Sequence, residues 1–249
     1  MKNILNDILE ILIAYKKIDV VELSKKLQIS QVTIRKYLTK LESTGMVKRE
    51  HGYAVLHNED DIAGRLAYHY NSKIKIAKRA VELVKDGDTI MIENGSCCAL
   101  LALELAAVKN NLTIVTNSTY IAKSLRQRQA SFQIIILGGL YQEKSECLVG
   151  PMIRANAENY NVEFFFIGTD GYNRNSGFAN KDQMRSQAVR DMANSCDKLI
   201  ILTESEKFGL RGTIPLNIKN IPQILITDSK IPKDIFDELR QRDVQVITV

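Results

Sequence analysis

The chain has 249 residues, 45% of them apolar and 25% charged, which is ordinary for a globular protein and excludes disordered, collagen-like and wholly membrane-embedded classes. That length accommodates one large domain and a small one. The net charge is +5, and residues 1–57 carry ten lysines and arginines against six acids, a net of +4, so the remainder is close to neutral. A solvated basic face explains such a bias, and so does a surface that meets a polyanion.

The opening MKNILNDILEILIAY interrupts its apolar residues with Lys2, Asp7 and Glu10 and has no small-residue cleavage site. It reads as a helix with Ile4, Leu5, Ile8, Leu9 and Leu12 inward, not as a signal peptide. No uninterrupted apolar run approaches the roughly 18 residues of a membrane-spanning helix. Behind Asp19 and Glu22, a pair at capping-box spacing, Val20, Val21, Leu23 and Leu27 recur at helical spacing. Gln28-Ile29-Ser30 makes a turn, and Ser30 caps a second helix whose inner face is Ile34, Leu38 and Leu41. The opposite face carries Val32, Thr33, Lys36, Lys40 and Ser43, with Arg35 at its margin. Gly45 stops that helix, and Met46-Val47-Lys48-Arg49 enters a hairpin with its tip near His51-Gly52.

Two helices, a tight turn and a basic hairpin form a winged helix-turn-helix. Small polar groups on the first turn of the second helix, with a basic flank, suit a DNA major groove. On this reading Lys36, Lys40, Lys48 and Arg49 hold phosphates, while Gln31, Thr33 and Arg35 reach base edges. Ser30 and His51 complete the expected DNA-binding set.

Residues 58–72, NEDDIAGRLAYHYNS, read as a linker with one helical turn. From residue 73 onward strands and helices alternate. The expected strands are 89–93, 112–116, 132–137, 162–167, 198–203, 223–227 and 244–249, each short, β-branched and nearly continuous in apolar residues, as strands buried on both faces are. Amphipathic helices are expected over 73–85, 97–108, 118–128, 182–195 and 232–241. Alternation of this kind implies an α/β domain with a mostly parallel sheet and helices on both sides. The predicted organisation is a DNA-binding domain over 1–57, a linker over 58–72 and a larger α/β domain over 73–249.

The strands end in small or polar residues: Glu93-Asn94-Gly95-Ser96, Asn117-Ser118, Gly138-Gly139, Asp170-Gly171 and, in the loop after the fifth strand, Lys207. Ligands of open parallel sheets bind beyond the carboxyl ends of the strands. Gly95 permits close backbone approach, and Ser96 and Asn117-Ser118 begin helices whose free N–H groups attract an anion. Lys207 adds a point charge for a phosphate, and Asp170 suits a sugar hydroxyl. Each feature also has a purely structural reading: the glycines serve turns, Ser96, Asn117 and Ser118 cap helices, and Lys207 pairs with nearby glutamates. Convergence on one sheet edge favours a ligand site. Cys97, Cys98, Cys147 and Cys196 show no CxxC spacing, and His51, His57 and His69 all lie near the hairpin or linker. Reduced thiols in a cytoplasm, no metal site and no cofactor are therefore expected.

The run Ser30, Thr33-Ile34-Arg35, Leu41-Glu42, Gly45, Arg49 and His51-Gly52-Tyr53-Ala54 resembles the DeoR family of bacterial transcriptional regulators, whose pattern is S-x-x-T-I-R, then L-E-x-x-G, a basic residue and H-G-G-A. The likeness continues through Asp86-Gly87-Asp88-Thr89-Ile90, Glu93, Gly95-Ser96, Val115-Thr116-Asn117-Ser118, Leu137-Gly138-Gly139, Val149-Gly150, Gly168-Thr169-Asp170-Gly171 and Glu206-Lys207-Phe208-Gly209. Departures are Tyr37 for an acid, Tyr53 for a second glycine, Cys97 and Cys98 for threonines, Glu206 for serine, and the segment 180–186 containing Arg185. The resemblance implies a sensing domain similar to the ribose-5-phosphate isomerase fold and a repressor of carbohydrate-metabolism genes governed by a phosphorylated sugar. It implies a homo-oligomer, dimer or tetramer, on an inverted-repeat double-stranded DNA operator. The alternative is a sugar-phosphate isomerase-like enzyme with a DNA-binding appendage. Isomerisation needs a positioned base, and where the isomerase motif clusters acids as D-G-A-D-E this chain has Asp170-Gly171-Tyr172-Asn173-Arg174. Binding without turnover is the better reading.

Overall fold

The computed structural model describes residues 4–57 and 61–249. The chain divides into two compact units, Met1–Asn71 and Ser72–Val249. The first begins with α1 (Ile4–Tyr15), which buries Leu5, Ile8, Leu9 and Leu12. Then come β1 (Lys17–Asp19), α2 (Val20–Leu27), α3 (Gln31–Ser43), β2 (Val47–Glu50) and β3 (Tyr53–Leu56). The Asp19 carboxylate caps α2, accepting from the Val21 N–H at 2.7 Å and the Glu22 N–H at 3.2 Å. Gln28 turns the chain with a left-handed φ of 57°. Ser30 then caps α3 by accepting from the Thr33 N–H at 3.2 Å, and Ile34, Leu38 and Leu41 are buried as the periodicity predicts. Val21 departs from the expected stripe at 40% exposed. One helical step of about 100° from buried Val20 carries it outward.

Glu50 pairs directly with Tyr53, leaving His51 and Gly52 as a two-residue turn with φ of 47° and 91°. Positive φ at both positions is the hairpin turn that matches strand twist. Position 53 lies in the strand instead, so Tyr53 is accommodated, with Lys17 Nζ 4.8 Å from its ring centroid. The small sheet has the order β1-β3-β2. β1 was not evident in the sequence, because three residues show no strand period.

Residues 58–60 of the expected linker lie outside the described residues. The rest is more helical than expected: α4 (Ile62–Ala67) precedes α5 (Tyr70–Val81), which starts and ends earlier than the predicted 73–85. The turn after α5 is held by the Lys85 N–H donating to Asp88 at 2.7 Å.

The second unit continues with β4 (Thr89–Ile92), α6 (Ser96–Val108), β5 (Thr113–Thr116), α7 (Thr119–Gln127), β6 (Gln133–Ile136), β7 (Leu140–Gln142), β8 (Cys147–Val149), α8 (Met152–Ala157) and β9 (Val162–Ile167). It ends with β10 (Gly171–Asn173), β11 (Gly177–Asn180), α9 (Gln183–Ala193), β12 (Cys196–Leu202), β13 (Ile214–Pro215), β14 (Gln223–Thr227), α10 (Lys233–Gln241) and β15 (Val244–Thr248). All seven expected strands join one seven-stranded sheet, order β15-β14-β12-β9-β4-β5-β6, in which every neighbouring pair is parallel. From β4 the chain winds one way through β5 and β6; from β9 it winds the other way through β12, β14 and β15. The two series part between β4 and β9, the topological switch point at which such sheets bind ligands.

One sheet face packs Met91, Val115, Phe165, Ile167, Leu199, Ile201 and Leu225 into a core closed by Val189, Met192, Ile235 and Leu239 from the helices. Phe165 is fully buried. A Phe165→Ala variant should lose about 3–5 kcal/mol of stability, read as a lowered urea midpoint; a loss under 1 kcal/mol would show that this core is not close-packed. Two expectations are corrected. Helix α6 is not amphipathic: Cys97 through Leu103 are all buried, so it is enclosed on every side. The β7–β8 hairpin, α8 and the small antiparallel sheet β10-β11-β13 were not predicted, since elements of two to six residues carry too little pattern.

Candidate functional site

Two surfaces bear on function. On α3, Arg35, Lys36 and Lys40 are exposed, Gln31 and Thr33 are half-buried on the first turn, and Val32 between them is 76% exposed. The Ser30 hydroxyl is 2.9 Å from the Thr33 hydroxyl as well as capping the helix, so its first duty is structural. Among the described residues, no carboxylate lies within ion-pair distance of Arg35, Lys36 or Lys40, whereas the hairpin cations are paired. Arg49 places Nε and a terminal guanidinium nitrogen each 2.6 Å from Glu42 Oε2. The Glu42 carboxyl is held below its ordinary pKa, chiefly by that hydrogen bond. Lys48 Nζ is 2.9 Å from Glu50 Oε1. Arg49 thereby ties the hairpin to α3, a role absent from the sequence reading. His51 is exposed at the hairpin tip.

The second surface is the carboxyl edge of the large sheet. At the switch point the Glu93 carboxylate accepts from the Gly95 N–H at 2.8 Å and the Gly168 N–H at 3.1 Å, joining the loops after β4 and β9. A Cβ on Gly95 would lie 2.9 Å from Glu93 Oε2 and 3.2 Å from the Gly168 backbone, so this close approach requires glycine. Gly95 is also the N-cap of α6 and supplies no side-chain cap, leaving the first N–H groups of Ser96 and its successors for an anion. Beside it Asn94 is 1% exposed, and neither its amide nitrogen nor its oxygen has a hydrogen-bond partner. The Asn117 oxygen and the hydroxyls of Thr203 and Thr227 are buried and unpartnered too. These four residues follow or end β4, β5, β12 and β14 in one sheet. Buried polar atoms without partners are uncommon in native proteins, and here a run of them lies along one sheet edge.

The loop after β12 brings charge to this edge. Lys207 Nζ is 3.9 Å from Glu204 Oε1, and Lys73 Nζ from α5 is 3.5 Å from the same oxygen. Lys73 and Glu204 are buried, with side chains 3% and 4% exposed. Cys97 Sγ donates to Glu204 Oε2 at 3.6 Å. Burial first, and then the Glu204 charge, push the Cys97 thiol well above its ordinary pKa, so it stays protonated. Asp228, after β14, accepts from the Ser205 N–H at 2.8 Å and the Lys230 N–H at 3.0 Å. Burial raises its pKa, but these bonds and the Ser205 hydroxyl outweigh that effect and leave it lowered.

Other expected residues have local explanations. Ser118 is fully buried and caps α7 through the Ile121 N–H at 3.2 Å. Asn117 donates to the Leu148 carbonyl at 3.0 Å, which spends its nitrogen and leaves its oxygen unpartnered. The Gly138 N–H donates to Asn156 at 3.0 Å, and a Cβ on Gly139 would meet the Val149 carbonyl oxygen at 2.2 Å. Gly171 is similarly closed, with Leu210 O at 2.4 Å from a built Cβ. Asp170 accepts from the Lys181 N–H at 2.9 Å.

The sequence offers Glu204 only as a possible base with no partner, whereas the structure pairs it with two lysines, one of which, Lys73, the sequence reading missed. The signal was present: Lys73 falls in line with Ala77 and Ala80 at i, i+4 and i+7, on the buried face of α5. A cavity of about 620 Å³ lies elsewhere, lined by core residues such as Phe178, Leu199 and Leu239 and by the loop 217–223. Its lining runs from Ile167 and Ile201 to Gln223 and Val244, the first residues of β14 and β15, and includes none of the four residues with unpartnered atoms. Among the described residues no group of three or more His, Cys, Asp or Glu is placed to hold a metal ion. No helix among them is long and apolar enough to cross a membrane.

A basic winged helix-turn-helix joined to a parallel-sheet domain with a polar switch point defines a DNA-binding transcriptional regulator with a sensing domain. Residues 5–60 match the DeoR-like helix-turn-helix domain, and residues 68–229 match the DeoR C terminal sensor domain. The chain belongs to the DeoR family. It is 30% identical to the HTH-type transcriptional regulator GolR of Listeria innocua over 97% of this chain and 96% of that protein. It is 30% identical to the lactose phosphotransferase system repressor of Lactococcus lactis over 96% of each chain. With the L-fucose operon activator of Escherichia coli K12 it shares 26% identity over 82% of this chain and 86% of that one. Among solved structures, ribose 5-phosphate isomerase A from Methanocaldococcus jannaschii is 19% identical, with a TM-score of 0.41 over 56% of this chain and 54% of that one. So distant a likeness implies neither activity nor ligand.

Proposed function

We propose that this protein is a cytoplasmic repressor of carbohydrate-metabolism genes whose operator binding is controlled by a phosphorylated sugar held at the carboxyl edge of the large sheet. The observation that carries this reading is the row of buried, unpartnered side-chain atoms of Asn94, Asn117, Thr203 and Thr227 beside the cation Lys207. Amides and hydroxyls match sugar hydroxyls, and the α6 N-terminus with Lys207 matches a phosphate. Relatives named for a lactose phosphotransferase system and an L-fucose operon support a sugar-linked role.

On this proposal residues 1–57 bind DNA, 58–72 link, and 73–249 sense the effector and assemble a dimer or tetramer on an inverted repeat. Arg35, Gln31 and Thr33 read base edges, Val32 meets a thymine methyl, and Lys36, Lys40, Lys48 and Arg49 hold phosphates. Turnover is not part of the function. Asp170 and Asp228 are engaged by backbone N–H groups, as is Glu93, and Glu204 lies between two lysines. A general base needs a carboxylate poised on substrate.

Thermal denaturation of the full chain with a panel of sugars and sugar phosphates tests the proposal. One phosphorylated sugar at a hundred times its Kd should stabilise by about 2.7 kcal/mol, raising Tm by several degrees, while its unphosphorylated form does not. Equal shifts from both forms would remove the phosphate from the account, and isomerisation of the ligand during incubation would restore the enzyme reading.

A further inference from the structure

We propose that Lys73 is an effector-binding residue that exchanges Glu204 for the anionic group of the ligand, so that Glu204 is a built-in placeholder for that anion. The inference rests on the reading of the sheet edge as the effector site and assigns that site a residue and a switching step.

Two ammonium groups converge on one carboxylate oxygen, Lys73 at 3.5 Å and Lys207 at 3.9 Å. Both distances exceed the roughly 2.7–2.9 Å of a tight charge-assisted hydrogen bond. Taking a lysine and a glutamate out of water is expensive, and an ion pair offsets that cost only when its geometry is close. The Glu204 carboxylate thus occupies the position between two lysines that an incoming anion would take. The Cys97 thiol on the other Glu204 oxygen comes from the first turn of α6, whose uncapped N-terminus follows the unpartnered Asn94. The Lys73–Glu204 pair therefore borders the sheet edge along which Asn94, Asn117, Thr203 and Thr227 present buried, unpartnered polar atoms. A phosphate arriving there is repelled by Glu204 and attracted by both lysines. Lys73 sits near the start of α5, the helix that begins at Tyr70, next to the chain position dividing the two compact units. A change of partner at Lys73 thus acts on the helix through which the chain passes from one unit to the other.

The test is equilibrium binding of inorganic phosphate, and of a set of aldose 6-phosphates and ketose 1-phosphates, to the full-length wild type and to Lys73→Met, Glu204→Gln and Lys207→Ala variants. Exchange predicts opposite signs: Lys73→Met should bind at least tenfold more weakly, and Glu204→Gln at least threefold more tightly. A purely structural ion pair predicts that both variants weaken binding. Weakened or unchanged binding by Glu204→Gln, or wild-type affinity in Lys73→Met when Lys207→Ala is impaired, overturns the exchange and leaves the site standing. Failure of the wild type to bind any of these probes overturns the site and the exchange together. If Lys73→Met does not fold, the sign of the Glu204→Gln effect, in a near-isosteric variant, decides.

Discussion

Arg35→Ala should lose specific operator binding while retaining a stabilising response to its sugar phosphate. Arg35 is exposed on α3, and no carboxylate among the described residues pairs with it, so its full hydrogen-bonding fork is available to a base edge. A bidentate arginine–guanine contact contributes about 1–3 kcal/mol of discrimination per half-site. On a two-fold operator that penalty is incurred twice, about 2–6 kcal/mol, a large share of the roughly 4–10 kcal/mol that separates specific from non-specific binding. Anisotropy titrations with operator and random DNA would show the two converging. Lys36→Ala offers the contrast: binding weakens evenly across sequences, and the salt-dependence slope falls by about 1 per half-site. Retained specificity in Arg35→Ala would place base reading elsewhere on α3.

Lys207→Ala should bind operator normally yet require much more effector for release. A hydrogen bond to a charged group contributes about 1.5–3 kcal/mol, so the half-maximal effector concentration should rise roughly 10- to 100-fold. Lys207 is partly exposed, with 27% of its side chain accessible, and it can swing from Glu204 toward a ligand without being unburied. Normal release by this variant would remove Lys207 from the phosphate site.

How far the sequence could be read follows from how local each feature is. Asp19, Ser30 and the Ile34-Leu38-Leu41 stripe are governed by neighbours within one or two turns, so the helix-turn-helix was legible. The seven strands of the large sheet were legible because burial on both faces leaves continuous apolar runs. Pairing of Arg49 with Glu42 was not, since it depends on how the hairpin returns against α3. Asn94 could be named as a loop residue from sequence alone, but its lack of partners is a property of the packed structure. Ser118, Gly138, Gly139 and Gly171 drew attention for the same small or polar character that helix caps and tight backbone crossings require, and those roles account for them here. Lys73 was hidden among Lys75 and Lys78, which make α5 look like a solvated basic helix although one of its lysines lies on the buried face.

The most direct test of the whole account is fluorescence anisotropy on an operator recovered by selection from random DNA, titrated with the full chain with and without sugar phosphates. The expected result is an inverted repeat bound tightly and salt-sensitively, with one phosphorylated sugar weakening that binding at least tenfold. An operator whose affinity no phosphorylated sugar changes, or no enriched sequence at all, would contradict it.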